Sequence, residues 1–300
     1  MNERDLAITF AGGGNRAFYQ LGLMRRWAPD LLPRVSAIAA VSAGACVITF
    51  LLSGRSDEIY AFWKNLRRDV SKNFEWAKVL RGERPAPHAA IYREMLLYAF
   101  SEGGLERVRA QPFPVLVLAA AFPRFLPAGV AVVTGLGAYS LEKRVRKRMV
   151  HPTLGRALGF SPFVFDARAC ESPAELTDLV IASSATPPFT PVGRFRDRAL
   201  LDGGLVDNVP AFVADAAPGV RRNLVLLTRP YPTASVGARG SRLYLAPTSP
   251  VPISRWDYTR PELLDATIEM GEREADFHGP ALDAFLGASV FNPHAPDSLA

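Results

Sequence analysis

Along this chain short apolar runs alternate with stretches of helical character, and that alternation admits few folds. LAITFAG (6–12) has the composition of a strand running into glycines, and RAFYQLGLMRRW (16–27) after it reads as a helix. VSAIAAV (35–41) is a second strand ending at Ser42, and AGACVITFLLSG (43–54) suits a helix closed by Gly54. A mostly helical stretch runs from Ser56 to about Phe100, and FPVLVLAAAF (113–122) is the clearest buried strand. SPAELTDLVIASSA (172–185) opens a helix with Ser172 as N-cap, Pro173 in its first position and Glu175 in the capping-box place. ALLDGG (199–204) and NLVLLTRP (223–230) are further strands, and Thr259 begins a helix over 259–279. Strand–helix alternation predicts an α/β fold with a mainly parallel central sheet and helices on both faces.

Three hundred residues can form one large domain with ample core. No internal repeat stands out. The chain reads as a single domain over 1–300, with a core of about 5–230, a proline-rich connector over 231–258 and a closing helix over 259–279. Cys46 and Cys170 are too few for a disulfide framework or a metal-ligand cluster, and Cys46 sits in an apolar run as a small hydrophobe. The N-terminus lacks the apolar segment of a signal peptide, and the longest apolar runs fall short of the roughly 20 residues of a membrane span. A soluble cytoplasmic protein is therefore expected. The net charge of +6 permits an anionic partner without naming one, and no nucleic-acid partner is expected.

Two turns carry the chemistry. AGGGNRAF (11–18) places Gly12, Gly13 and Gly14 between a strand and a helix, where backbone N–H groups face an anion. The same residues satisfy the dinucleotide fingerprint G-x-G-x-x-G/A, but the next strand ends in Val41-Ser42-Ala43-Gly44, without the acid that holds a ribose. The loop therefore suits developing charge on a carbonyl oxygen better than a pyrophosphate. Ala40-Val41-Ser42-Ala43-Gly44 differs by one methyl group from the nucleophile elbow G-x-S-x-G. In a parallel sheet successive turns lie near each other at the carboxyl edge, so one offers N–H donors and the other a hydroxyl, the parts of acyl transfer. The residues alone leave the base open. His88 and His151 lie in apparent loops, His278 near a helix end and His294 in the polar tail, none in a motif. Asp202, before Gly203 and Gly204, reads by itself as an ordinary turn former ahead of a base.

In combination the motifs are more specific. Gly12-Gly13-Gly14-Asn15-Arg16, the elbow Ser42-Ala43-Gly44, ASSATPPFTPV (182–192) and Asp202-Gly203-Gly204 with Asp207-Asn208-x-Pro210 occur in this order. That series closely resembles the patatin-like phospholipase family over about 5–230, with Ala17 and Ala40 standing where the family motifs carry glycine. The resemblance implies a three-layer architecture related to the α/β-hydrolases and a Ser-Asp dyad, with Ser42 as nucleophile and Asp202 as base. It makes Gly13 and Gly14 oxyanion donors in a hole shaped by Gly12. Arg16 would hold that loop or attract an anionic head group, and Gly44, Gly203 and Gly204 would support the elbow and the base. The reaction implied is ester hydrolysis on lipid acyl esters through an acyl-serine, without metal or organic cofactor.

A second local feature points toward lipid. SLEKRVRKRMV (140–150) follows an apolar segment, and on a helix Leu141, Val145 and Met149 form one stripe with Lys143, Arg144, Lys147 and Arg148 around it. Such a stretch is either a contact for an anionic membrane surface or a solvated helix whose stripe packs on the core. Three functional readings follow: a lipid acyl hydrolase; a cytoplasmic general esterase or acyltransferase on the same dyad; and a catalytically weak lipid-binding regulatory protein.

Overall fold

The computed structural model describes residues 4–75, 78, 80–81, 85–123, 125, 129–135, 137, 149–151, 154–187 and 189–287. Its centre is a parallel run of five strands in the order β3 (Val115–Ala121), β2 (Val35–Val41), β1 (Leu6–Phe10), β7 (Arg222–Leu226) and β9 (Arg242–Leu245). Antiparallel strands extend it at both ends: β4 (Ser161–Asp166), β5 (Gly193–Phe195) and β6 (Arg198–Asp202) beyond β3, and β8 (Gly237–Arg239) beyond β9. Side chains of the central strands divide between two faces with period two. Leu6, Ile8, Phe10, Ile38 and Ala40 belong to one core, and Ala7, Ala39 and Val41 to the other.

The first core lies under α1 (Phe18–Leu31), α2 (Ala43–Leu52), α3 (Ser56–Leu66), α4 (His88–Phe100), α5 (Pro173–Ser183) and α6 (Glu262–Gly287). Ser172 caps α5 as its sequence predicts, its Oγ accepting the Glu175 N–H at 3.1 Å. Glu175 closes the capping interaction one residue early, on the N–H of Glu171. The closing helix packs on α1, and the Tyr19 hydroxyl donates to Glu274 Oε2 at 2.7 Å between them. It runs eight residues past the expected end, so His278 is a buried mid-helix residue beside Tyr19 rather than a C-terminal cation.

The stretch read as a connector, 231–258, carries β8 and β9, and β9 pairs with β7 in the sheet. Its strands are three and four residues long and lie among prolines and a glycine turn, too short for alternation to show. The basic residues Lys143, Arg144, Lys147 and Arg148, and also His294, lie outside the described residues. Among the described residues no helix is long and apolar enough to cross a membrane.

One register relation positions the site. β4 occupies one edge of β3 from Leu116 to Ala121, so β2 and β6 share the other edge. β2 pairs with β3 up to Val41–Leu118, and β6 begins at the next position with Asp202–Ala119. The two strands therefore meet end to end. The residue after Val41 is brought beside the last residue of β6.

Candidate active site

Ser42 stands at that junction, between β2 and α2, with φ 54° and ψ −130°. Positive φ is uncommon for a residue with a Cβ and persists only where the surroundings hold it. Two contacts do so. The Ser42 N–H donates to Ser183 Oγ at 2.8 Å, and the Ser183 hydroxyl donates to the Leu118 carbonyl at 2.6 Å, tying the turn to β3. Gly44 lets α2 approach β1, because a Cβ there would lie 2.6 Å from the Phe10 carbonyl oxygen. Ala40, the small residue before the elbow, is fully buried between Phe10 and Val117 of the neighbouring strands.

Asp202 ends β6, and its N–H donates to the Ala185 carbonyl. Gly203 follows because the chain there crosses tightly over β3, where a Cβ would come 2.3 Å from the Leu118 carbonyl oxygen. The Gly204 N–H donates to Asp202 Oδ1 at 2.7 Å, turning Oδ2 toward Ser42. The Ser42 hydroxyl donates to Oδ2 at 2.9 Å, across 160 residues of chain, and Thr186 Oγ1 donates to the same oxygen at 3.3 Å. Burial pushes the Asp202 carboxyl up to about 6, against the opposing pull of the Gly204, Ser42 and Thr186 donors. Among the described residues no histidine hydrogen-bonds either side chain.

The glycine loop forms the facing wall. The Gly12 N–H is committed to the Asn208 carbonyl at 3.0 Å, and the Gly12 carbonyl accepts from Asn208 Nδ2 and Thr228 Oγ1, both at 2.9 Å. Gly12 thus shapes the loop and has no N–H to offer a substrate. The N–H groups of Gly13 and Gly14 meet no partner among the described residues, and both glycines line the same pocket as Ser42 and Asp202. Arg16 Nε donates back to the Gly13 carbonyl at 3.2 Å, inside the loop. Asn15 anchors the loop to residues 255–257: its N–H donates to the Arg255 carbonyl, and its Nδ2 donates to the Asp257 carbonyl at 2.6 Å.

The pocket measures about 50 Å³. Beyond Ser42 its wall is largely aromatic, with Phe18, Trp63, Tyr92, Trp256 and Tyr258. His88 also lines it, as the first residue of α4 and buried, not as the loop residue its prolines suggest. Sequence reasoning assigned no role to Ser183 or Thr186, although both fall in or beside the ASSAT segment. It placed Trp256 and Tyr258 in a connector. Cys46, one helical turn after Ser42, is buried, and burial raises its thiol beyond the reactive range. His151 lies away from the pocket lining and hydrogen-bonds Asp207 Oδ2 at 2.9 Å. No group of three or more metal-ligating side chains occurs among the described residues.

The profile of the patatin-like phospholipase family matches residues 8–215, which span every element that builds this pocket up to Asn208. The chain belongs to that family. Among solved structures, VipD from Legionella pneumophila is similar over 95% of this chain and 67% of its own, at 11% identity and a TM-score of 0.45. No curated protein matches the chain.

Proposed function

We propose that this patatin-like protein is a serine acyl-ester hydrolase acting on lipids, with Ser42 as nucleophile and Asp202 as its base. The observation that carries the reading is the 2.9 Å hydrogen bond from Ser42 Oγ to Asp202 Oδ2, made at a strained strand-to-helix turn. An ordinary aspartate is too weak a base for a serine hydroxyl. A carboxyl raised to about 6 remains ionised at neutral pH yet lies closer to the proton it must take.

In this mechanism Asp202 Oδ2 takes the Ser42 proton as Oγ bonds to the ester carbon. The negative charge on the carbonyl oxygen is stabilised by the N–H groups of Gly13 and Gly14. Protonated Asp202 then donates to the departing alkoxide, leaving an acyl-serine. A water gives its proton to Asp202, attacks the acyl carbon, and releases the acid with Ser42 restored. Loss of one oxyanion donor costs on the order of 3 kcal/mol of transition-state stabilisation.

Lipid as the substrate class rests on the family and on one surface feature. Phe125 and Val133 are each 72% exposed and Val130 47% exposed, in the segment after the carboxyl end of β3. That edge of the sheet also carries the dyad, and the basic stretch 140–150 follows in sequence. Exposed apolar side chains at the edge that carries the dyad suit contact with a lipid surface. The test is turnover of a short-chain nitrophenyl ester followed by a panel of lipid classes in micelles. Hydrolysis of the aryl ester without any lipid would favour a general esterase. Failure on both, with intact folding, would leave a lipid-binding protein.

A further inference from the structure

Asp202 is tied to the end of α5 by its main chain as well as its side chain. Its N–H donates to the Ala185 carbonyl at 2.8 Å, and the Gly203 N–H donates to the Ser183 carbonyl at 3.1 Å. Thr186 comes next in the chain, so this pairing delivers its side chain to the carboxylate. A reciprocal contact fixes it from the other side. The Thr186 N–H donates to Thr190 Oγ1 at 2.6 Å, and the Thr190 N–H donates to the Thr186 carbonyl at 3.2 Å. Thr190 is buried, so the turn is anchored in the interior. Contacts on either side thus set where the Thr186 hydroxyl lies.

That hydroxyl carries one hydrogen and faces two acceptors. Asp202 Oδ2 and the Ser184 carbonyl oxygen each lie 3.3 Å from Thr186 Oγ1. Which of them it serves depends on the charge of Asp202. A carboxylate is the stronger acceptor, so the ionised base draws the hydrogen to Oδ2. Once Oδ2 has taken the Ser42 proton that attraction is lost, and the Ser184 carbonyl is the better partner. The donor therefore stabilises the carboxylate and not the acid. We infer that Thr186 is a positioning residue for the base, its hydroxyl holding Asp202 Oδ2 toward Ser42 Oγ and favouring the ionised carboxylate. The inference rests on the hydrolase reading above and adds to it the residue that tunes the base. Thr186 itself exchanges no bond with substrate.

Burial and three donors, Gly204, Ser42 and Thr186, act on the Asp202 carboxyl. Of the other ionisable side chains lining the pocket, His88, Cys46, Tyr92 and Tyr258 are kept neutral by burial. Arg255 also lines it, as a fixed positive charge. Asp207, on the turn after Asp202, faces His151 and the Val209 N–H instead. Gly204 donates through its backbone and Ser42 is the nucleophile, so Thr186 is the donor that a substitution can remove without removing the dyad.

The test is the pH profile of short-chain nitrophenyl ester hydrolysis by wild type, Thr186→Val and Thr186→Ser. Valine keeps the shape of threonine without its hydroxyl, whereas serine restores the donor. Losing a long charge-assisted hydrogen bond should move the acid limb of kcat/KM up by about one pH unit. The valine variant should then lose roughly fivefold more activity at pH 6 than at pH 8, and serine should return the limb to its wild-type position. Thr186→Ala should give the same displacement if the valine variant does not fold. A carbon-13 NMR titration of the Asp202 carboxyl, assigned with Asp202→Asn, makes the same comparison without turnover. A raised titration in Thr186→Val, with no hydrolysis by wild type, would sink the hydrolase reading and keep the hold of Thr186 on Asp202. A limb and a titration that stay at their wild-type positions, even with activity lowered at every pH, overturn the inference and leave the hydroxyl on the Ser184 carbonyl.

Discussion

The backbone N–H of Ser42 donates to the side-chain oxygen of Ser183, 2.8 Å away, and Ser183 passes the contact on to the Leu118 carbonyl of β3. A residue held at positive φ needs such a tether, and the end of α5 supplies it. Ser183→Ala removes the acceptor from a buried N–H and should lower stability by about 1–3 kcal/mol. Because Ser42 would lose its fixed direction, kcat should fall more than KM rises. Denaturant melts and steady-state kinetics on the same preparation check both halves. Loss of stability with unchanged kcat would make Ser183 a packing residue alone.

The dyad predicts a specific pattern of inactivation. Ser42→Ala and Asp202→Asn should each abolish ester hydrolysis, and the double variant should lose little more, since the pair acts as a unit. His278→Ala should retain most of its activity, because His278 sits beside Tyr19 and Glu274, away from the pocket lining. A histidine variant as inactive as Ser42→Ala would return the reading to a Ser-His-Asp triad.

How far the site was legible depended on distance along the chain. The strand ending at Val41, the turn at Ser42 and the helix after it are local, and the apolar pattern and small residues mark them. Asp202 is 160 residues away, and no local signal separates a base from a turn former before glycines. What brings it to Ser42 is the shared edge of β3, a register that single-strand patterns do not encode. Gly12 is a similar case. Its shaping role is legible locally, but the partner that holds it there, Asn208, lies 196 residues on in the Asp207-Asn208-x-Pro210 motif. Trp256 and Tyr258 were invisible because the segment that carries them has no periodicity, and their role comes from packing over α3 and α4.

Ala40 tests the packing of the elbow. It is fully buried, level with Phe10 and Val117 on the face that meets the helices. Ala40→Gly should fold and change turnover modestly in either direction. Ala40→Val adds two methyl groups to a filled space and should destabilise by about 1–3 kcal/mol, with a larger fall in activity. Wild-type melting and turnover in the valine variant would show that the elbow has room to spare.

Vesicle binding tests the basic stretch. Replacing Lys143, Arg144, Lys147 and Arg148 with Gln removes four charges while keeping helix propensity and the apolar stripe. Each basic residue near an anionic leaflet contributes about 1 kcal/mol, so sedimentation with anionic vesicles should weaken strongly and lose most of its salt dependence. Hydrolysis of a soluble short-chain ester should be unchanged, since Ser42 and Asp202 are left as they are. Unaltered sedimentation would leave the stretch an ordinary solvated helix.

The raised Asp202 carboxyl has consequences for both rate and stability. As a base Asp202 must be ionised, so kcat/KM should rise with unit slope at acid pH and level off above about pH 6. For stability the sign is the opposite. The carboxyl moves from the ordinary 3.8 to about 6 on folding, so between those values the native state binds more protons than the unfolded chain. Stability attributable to this group therefore falls as pH rises through that window, and the full penalty, at most about 3 kcal/mol, is present above it. Asp202→Asn removes the buried charge while leaving an oxygen for the Gly204 N–H. The variant should therefore melt higher than wild type at pH 8 and lose that advantage below about pH 4. Chemical denaturation of both proteins at the two pH values measures the difference directly. Equal stability at pH 8 would mean that the Ser42, Thr186 and Gly204 hydrogen bonds fully offset the burial of the charge, and the acid limb of the rate profile should then lie near pH 4 instead.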